Sequence, residues 1–164
     1  MINYKWLRDE LYINSLVDMF VANTTTDYIT HIEIEEGRAT DQNTWSEDLK
    51  RVLWMQFYIA IKAGNLAVAI DDEYELYGFA VVKWLCKEDD NEDAVVIEDI
   101  VSAEKGIGTE LVRFIEEEVR AAGPIHDRKY SMRADVSPKN TRANRFMEKL
   151  GYKPMTIVYT KEIN

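Results

Sequence analysis

Cysteine is almost absent from this chain. The one cysteine, Cys86, has no second cysteine with which to form an intramolecular disulfide. It lies in the apolar run at residues 78–86, which predicts a buried free thiol. A disulfide framework is therefore excluded, and 164 residues suffice to bury a core without one. We expect a single globular domain over residues 1–164 in a reducing compartment.

Long hydrophobic runs are also lacking. No apolar stretch approaches the roughly 20 residues that a membrane-spanning helix needs. No basic N-terminal stretch precedes an apolar one, as it would in a secretory signal. We therefore expect no membrane association and a cytoplasmic location.

Positive charge is scarce, with 20 Lys and Arg against 30 Asp and Glu and a net charge of −10 at pH 7. Binding to duplex nucleic acid depends mainly on neutralising phosphates, so that class of partner is disfavoured. The acidic balance fits a cationic small-molecule partner, or serves solubility alone. The densest acidic cluster, at residues 88–93, predicts a solvated hairpin loop and has no spacing typical of a metal site.

Helical spacing of apolar residues predicts a first helix over residues 4–21, which leaves little room for a strand before it. Residues 28–43 read as a short strand or an irregular loop. A second helix is predicted to begin at Thr44, with Glu47 completing a capping box, and to end at Ala63 and Gly64.

The second half of the chain alternates strands and helices. Gly123 and Pro124 are predicted to end the first of these helices. The order predicts an α/β (α+β) fold, with helices packed on the faces of one sheet. The predicted strands are residues 66–70, 76–85, 95–102, 130–136 and 155–163, and the helices are residues 106–122 and about 141–150.

A turn with two glycines, Gly106 and Gly108, stands between a strand and the longest helix. The first N–H groups of a helix have no intrahelical partner and carry partial positive charge, and glycine lets an anion approach them closely. A tight packing turn is the alternative. No Gly-Lys-Ser/Thr follows, which disfavours a nucleoside triphosphate site. The candidate phosphate-binding amides are those of Lys105, Gly106, Ile107, Gly108 and Thr109.

Two segments, EKGIGTELVRFIEEEV (residues 104–119) and NTRANRFMEKLGY (residues 140–152), resemble the cofactor-binding half of the Gcn5-related N-acetyltransferases, the GNAT superfamily. The resemblance spans about residues 66–163. It implies a mixed, mostly antiparallel central sheet with a splayed strand pair, and acetyl-CoA as acyl donor. The acceptor would be an amine on a small molecule or a protein. Dimers are common in the family, so a homodimer is possible.

The resemblance also assigns residues to the donor. In the family, the strand before the glycine turn pairs with the pantetheine arm, which here implies Ile100, Val101 and Ser102. Asn140 matches an asparagine that contacts the pantetheine, with a helix N-cap as its alternative role. Arg142 is a candidate for the remaining phosphate charge, as are Lys105 and Arg145.

Two adjacent carboxylates, Glu98 and Asp99, interrupt the apolar strand. Freeing a lysine-like amine with a pKa near 10.4 costs about 4.6 kcal/mol at pH 7. Desolvation would raise a carboxylate pKa toward the range in which it can accept that proton. Adjacent strand residues point to opposite faces, so we expect at most one to face the acceptor. Structural ion pairs with Arg or Lys are the alternative.

Resemblance to the polyamine-acetylating branch, with Leu-Glu-Asp before the same turn, favours Glu98 as the base, with Asp99 in reserve.

The sequence departs from the family pattern at two positions. Ala103 stands where Gln or Arg is usual, and Met147 replaces a tyrosine that protonates the departing CoA sulfur in many members. Tyr130 and Tyr152 are candidate substitutes, although packing roles are the alternative. Methionine has no proton to donate, which predicts slow turnover. A degenerate GNAT domain that binds CoA and acts through protein contacts remains the alternative function.

The family builds the acceptor side from the segment between its first two helices, here about residues 23–43. Tyr28 in this segment, and Trp84 on a neighbouring strand, are the predicted substrate-binding residues. The sequence does not identify the amine. Further anionic candidates are Glu33, Glu35 and Asp41.

Overall fold

The computed structural model describes residues 1–86, 92–161 and 163. Among them, no helix is both long and apolar enough to cross a membrane. Single 3-10 turns lie at Glu10–Tyr12 and Thr26–Tyr28. The strands are β1 (Asn3–Trp6), β2 (Ala39–Asp41), β3 (Thr44–Trp45), β4 (Leu66–Ile70), β5 (Leu76–Leu85), β6 (Glu92–Ser102) and β7 (Lys129–Ala134). The helices are α1 (Ile13–Asn23), α2 (His31–Glu35), α3 (Leu49–Ala63), α4 (Ile107–His126) and α5 (Thr141–Lys149).

Five strands form one sheet in the order β1-β4-β5-β6-β7. The pairs β1–β4, β4–β5 and β5–β6 are antiparallel, and β6–β7 is parallel. Parallel neighbours need a crossover connection, which α4 supplies. The strands β2 and β3 form a separate hairpin. The predicted mixed, mostly antiparallel sheet is confirmed.

Helices cover both faces of this sheet, as predicted. One core lies against α1 and α3, where the rings of Phe57 and Phe79 meet edge to face at 5.1 Å. The other core lies against α4, which contributes the fully buried Leu111 and Ile115. The apolar stripes of α1, α3 and α4 are therefore each buried against a face of the sheet, as their helical spacing predicts.

The predicted helix over residues 4–21 is wrong in its first third. Residues 3–6 form β1, which pairs with β4 in the register Asn3 to Ile70 and Trp6 to Ala67. All five residues of β4 are buried, so this strand needs a partner on its outer edge. Strand pairing across the sheet thus overrides a local helical pattern. The first strand, for which the sequence leaves little room, is therefore present as a short strand of four residues.

The capping box predicted at Thr44 and Glu47 is wrong. Thr44 belongs to β3, and α3 begins at Leu49 without a side-chain cap. A capping box occurs instead at the start of α2, where the Thr30 hydroxyl accepts from the Ile32 N–H and the Glu33 carboxylate accepts from the Thr30 N–H. The predicted end of α3 is confirmed.

Gly123 and Pro124 do not end α4, which continues to His126. A proline in the last turn lacks one N–H, but its fixed φ is compatible with a helix. The helix ends where Asp127 adopts a left-handed conformation (φ 52°) and its N–H donates to the Pro124 carbonyl.

The last predicted strand, at residues 155–163, is also wrong. Residues 155–161 and 163 have no regular secondary structure, and their large apolar side chains are exposed. Alternating apolar residues favour a strand but do not supply its partner. β7 is therefore the last strand of the sheet within the described chain.

Cys86 is exposed, because it follows directly after the end of β5, so the predicted buried thiol is wrong. Residues 88–91 of the predicted acidic hairpin loop lie outside the described residues. Glu92 begins β6, and the buried Asp93 carboxylate accepts hydrogen bonds from Arg128 at 2.8 and 3.0 Å.

Candidate active site

A cleft of about 320 Å³ opens beside the C-terminal half of β6. Its walls come from the end of α1 and the following turn, from β6, from the start of α4, and from the segment that joins β7 to α5. The predicted site residues that line it are Tyr28, Glu98, Ile100, Val101, Ser102, Gly108, Asn140 and Arg142. Those that do not line it are Trp84, Asp99, Lys105, Gly106, Ile107 and Thr109.

The cleft exists because two strands separate. β6 and β7 pair in parallel from Glu92 and Lys129 as far as Ile97 and Ala134. β6 then continues to Ser102 with β5 as its neighbour on the other side. The edge of β6 at residues 98–102 is thus left without a strand partner in the described chain, as expected for a splayed pair.

The start of α4 lies at one end of the cleft. Gly106 adopts φ 92° and, having no side chain, gives the first N–H groups no cap. Gly108 lines the cleft, and a Cβ at this position would lie 3.4 Å from the Phe146 ring and 3.6 Å from the Ser102 hydroxyl. Uncapped amides beside a glycine are an arrangement that suits an anion.

Positive side chains and the N-terminus of α5 also line the cleft. Lys139 and Arg142 both line it, and Lys139 Nζ donates to Asn43 Oδ1 at 2.9 Å. Asn140 Oδ1 accepts from the Ala143 N–H at 3.0 Å, so Asn140 is the N-cap of α5 as well as a wall of the cleft. The cleft thus has two cations and an uncapped helix start, which suit an anionic ligand, beside an unpaired strand edge.

Glu98 occupies a β-bulge. Val82 pairs with Ile97 and the adjacent Val81 pairs with Asp99, which leaves Glu98 as the extra residue of β6. Only Glu98 of the two carboxylates lines the cleft. The reason is the bulge rather than strict alternation, because the extra residue interrupts the strand repeat at this point.

Asp99 is buried in an ion pair. Its carboxylate accepts hydrogen bonds from both terminal nitrogens of Arg38, at 2.7 and 2.9 Å, and from the Tyr28 hydroxyl at 2.7 Å. The Asp99 side chain is fully buried and that of Arg38 nearly so. Burial and the Asp99 charge raise the pKa of Tyr28 well above its usual value. This network joins the loop after α2 to β6 beside the bulge.

In the part of the chain that the structure describes, no cation forms an ion pair with Glu98. Desolvation raises the pKa of Glu98, and the nearby carboxylates of Glu36 and Asp99 raise it further, against smaller opposing effects of Lys83 and Arg38. The pKa of Glu36 is likewise raised by burial, although Arg38 lowers it in part. A half-buried carboxylate of raised pKa at a cleft is suited to proton transfer.

Met147 is buried and lines the cleft, where the family pattern has a tyrosine. The two substitutes considered from sequence lie elsewhere. The Tyr152 hydroxyl donates to Glu116 at 2.9 Å, and burial and this bond raise the pKa of Tyr152. The Tyr130 hydroxyl lies 2.7 Å from His126 Nδ1. Neither tyrosine lines the cleft.

Trp84 lies on the other face of the sheet. It packs in the core beneath α4, with its ring 5.0 Å from Tyr130 and 6.3 Å from His126. Since Tyr130 is on β7, this aromatic cluster joins β5 to β7 across β6.

Sequence reasoning missed Arg38 and the bulge. Arg38 lies 61 positions before Asp99 in the sequence. The residues around Arg38 give no sign of this distant partner. A register shift between two strands leaves no signal in a single strand. Glu33, considered as an acceptor contact, is occupied in the capping box of α2.

Comparison with known proteins gives one family and one fold. A family model described as the acetyltransferase (GNAT) family matches residues 27–152. No curated protein matches. One similar solved structure is a transcriptional regulator from Bacillus halodurans C-125, with 18% identity and a TM-score of 0.67, covering 99% of this chain and 100% of that one.

Two further solved structures have acetyltransferase names. Aminoglycoside N-acetyltransferase AAC(6')-Iy in complex with CoA has 15% identity and a TM-score of 0.62, covering 99% of this chain and 96% of that one. Glucosamine-6-phosphate N-acetyltransferase from Arabidopsis thaliana has 15% identity and a TM-score of 0.60, covering 100% and 99%. These likenesses establish the fold, and the family match covers well over half of the sequence. The chain belongs to the GNAT acetyltransferase family.

Proposed function

We propose that this protein is an acetyl-CoA-dependent N-acetyltransferase acting on a primary amine by direct attack, with both substrates bound at once. The observation that carries the proposal is Glu98, a half-buried carboxylate of raised pKa placed by a bulge in the same cleft as the uncapped start of α4. A base and an anion site in one cleft are what this reaction requires.

The donor would be held from both ends of the cleft. The uncapped amides at the start of α4, where Gly108 lines the cleft, would bind its phosphates together with Lys139 and Arg142. The free edge at residues 100–102 would pair with its amide-bearing arm. Acetyl-CoA supplies an acetyl group activated as a thioester. The CoA complex of the structurally similar aminoglycoside N-acetyltransferase supports this choice of donor.

Glu98 would take the proton from the bound ammonium group. Deprotonating an amine of pKa near 10.4 costs about 4.6 kcal/mol at pH 7, and a positioned base accepts that proton. Desolvation brings the pKa of Glu98 closer to that of the amine. Asp99 cannot share this role, because Arg38 and Tyr28 already bind its carboxylate.

Met147 has no proton to give at the position that faces the cleft. A thiolate with a cysteine-like pKa near 8.5 can leave without a donor, although more slowly. We therefore expect slow turnover. The same observation favours a second candidate function, a GNAT domain that binds CoA and acts through protein contacts.

Calorimetric titration with acetyl-CoA, CoA and ATP, followed by a thiol-release assay over a panel of amines, tests the proposal. The panel would contain polyamines, aminoglycosides, amino acids and peptides with a free N-terminus or lysine. Micromolar binding of acetyl-CoA without ATP binding, and CoA release that depends on one amine class, are expected. Binding without turnover on any amine would favour the binding domain, and no binding would contradict both functions.

A further inference from the structure

The segment between α1 and α3 contacts β6 beside the bulge. Tyr28, in the 3-10 turn after α1, donates to the Asp99 carboxylate at 2.7 Å. Arg38, in the loop after α2, donates to the same carboxylate at 2.7 and 2.9 Å. The Tyr28 hydroxyl oxygen also lies 3.4 Å from the backbone carbonyl oxygen of Glu98. Both residues of the Glu98–Asp99 step are therefore held by groups from outside the sheet.

Glu98 depends on such contacts because the strand ladders do not fix it. Within the described chain, β5 pairs with Ile97 and Asp99 on either side of Glu98, and the ladder to β7 ends at Ile97. A bulged residue is the unpaired one of its strand, so its neighbours in the sheet do not set its direction. The Tyr28 hydroxyl supplies a contact at this point that the sheet does not.

One buried aromatic ring supports both donors of this network. The Tyr28 ring meets Phe20 edge to face at 5.3 Å, and the guanidinium carbon of Arg38 lies 5.5 Å from the centre of the same Phe20 ring. Trp45 packs against Tyr28 from another side, at 6.3 Å. Phe20 is fully buried, and close-packed side chains of this kind have little room to shift. The position of the Tyr28 hydroxyl is therefore well defined.

The Tyr28 hydroxyl keeps its proton and acts as a donor. Burial and the charge of Asp99 raise the pKa of Tyr28 well above its usual value. The proton is directed to Asp99, the nearer of its two acceptors. Tyr28 lines the cleft, but this hydrogen is already engaged and is not available to an acyl donor or an amine.

We propose that Tyr28 is a positioning residue for Glu98, its hydroxyl holding the Asp99 side chain and the Glu98 carbonyl so that the Glu98 carboxylate stays directed into the cleft. This inference rests on the proposed function, in which Glu98 accepts the proton of the amine. It gives Tyr28 a role that differs from the predicted contact with the substrate. A base displaced by about 1 Å can lose about 10²-fold in rate, so such a contact matters to the reaction.

Tyr28→Phe is the variant that tests this role. It removes the hydroxyl and keeps the ring that packs against Phe20 and Trp45. Tyr152→Phe is the matched control. It also removes a hydroxyl that donates to a carboxylate, here Glu116 at 2.9 Å, but Tyr152 does not line the cleft. The two variants should lose similar stability, so stability alone does not distinguish a positioning role.

The titration of the Glu98 carboxyl group reports its placement without any substrate. Desolvation is the largest cause of its raised pKa, and a carboxylate that leaves its place regains water. The charged groups that also act on Glu98 are Glu36 at the end of α2, Arg38 in the following loop, Lys83 on β5 and Asp99 on β6.

Carbon NMR of protein labelled with ¹³C-glutamate follows this titration, and the signal missing from Glu98→Gln identifies Glu98. In Tyr28→Phe the pKa of Glu98 should fall toward its ordinary value of about 4.5. In Tyr152→Phe it should equal that of the unaltered protein. A pKa of Glu98 that stays or rises in Tyr28→Phe would mean that the carboxylate keeps its place, and would overturn the proposal whether or not an amine is turned over.

A double-variant cycle tests whether Tyr28 acts on the reaction through Glu98. In Tyr28→Phe, kcat should fall about 10–100-fold, with the KM for the amine and the Kd for acetyl-CoA unchanged. Adding Tyr28→Phe to Glu98→Gln should cause no further loss. An unaltered kcat in Tyr28→Phe, or a fully additive loss in the double variant, would overturn the proposal. If no amine is turned over but the pKa of Glu98 falls in Tyr28→Phe, the proposed function fails while the placement of Glu98 by Tyr28 stands.

Discussion

β6 is one strand with two different halves. Residues 94–97 pair with β5 on one side and β7 on the other, and their buried members, Val95 among them, belong to the core. Residues 99–102 pair with β5 alone, and this half of β6 lines the cleft with Ile100, Val101, Ser102 and the bulged Glu98. The free backbone edge and the half-buried Glu98 carboxylate therefore both lie where the β6–β7 ladder ends.

Asp99 differs from the other residues of the second half of β6. It lies in the half that lines the cleft, yet it is buried and bound to Arg38 and Tyr28. Its neighbour Glu98 is bulged, half-buried and lines the cleft. The two carboxylates differ in their partners, and the bulge between them separates a structural role from the proposed catalytic one.

The largest expected effect follows from removing the partner of Asp99. Arg38→Met leaves a buried carboxylate without its cation and should lower the free energy of unfolding by about 3–5 kcal/mol, as chemical denaturation would show. Arg51→Met, which breaks an exposed ion pair with Asp48, is the matched control and should change it by about 1 kcal/mol or less. Equal effects of the two substitutions would contradict the structural role of Asp99.

Val95→Ala probes the doubly paired half. Val95 is fully buried and does not line the cleft. Loss of its methyl groups and the remaining cavity should lower the free energy of unfolding by about 2 kcal/mol. The affinity for acetyl-CoA, measured by calorimetry on the folded variant, should be unchanged. A changed affinity would mean that the two halves are not separable.

Gly108→Ala should have the opposite effects, leaving stability almost unchanged and weakening the binding of acetyl-CoA. A Cβ here meets Phe146 and Ser102 only at ordinary contact distance, and alanine favours a helix over glycine by up to about 1 kcal/mol. The fold should therefore tolerate the change, while a methyl group on the wall of the cleft should raise the Kd for acetyl-CoA about tenfold, or about 1.4 kcal/mol. Thr109→Ala keeps its backbone amide and should leave the Kd unchanged.

The smallest expected effect is on stability at Glu98. A carboxylate whose pKa is raised in the folded state destabilises the fold once pH exceeds its unfolded value of about 4.5. Glu98→Gln removes that penalty, so it should slightly raise the free energy of unfolding at pH 7. The gain should disappear as pH falls below 4.5. A gain that persists in acid would have another cause.

The elements that sequence predicted well are those set by local patterns. The β4–β5 hairpin, α4, α5 and the end of α3 all follow from periodicity and glycine placement. The capping box shows the limit of such signals, because Thr44 and Glu47 have the right spacing but Thr30 and Glu33 form the box. A motif four residues long occurs at more than one place, and packing decides which one is used.

The parts that sequence could not predict depend on distant partners. β1 is set by the buried β4, Arg38 by Asp99 61 positions away, and the bulge by the register between β5 and β6. Glu98 was identified through resemblance and burial in an apolar strand, but the reason that it lines the cleft lies in that register. Trp84 had a typical strand pattern, which did not reveal that it faces α4.

The most direct test of the account is the pH dependence of kcat/KM for Glu98→Gln with the best amine of the panel. We expect the rate at pH 7 to fall by about 10²–10⁴-fold, with the Kd for acetyl-CoA unchanged, because the base is lost and the donor site is not. Asp135→Asn, at an exposed carboxylate that also lines the cleft, should keep the unaltered rate. If Glu98→Gln retains that rate across the pH range, Glu98 is not the base and the central claim is wrong.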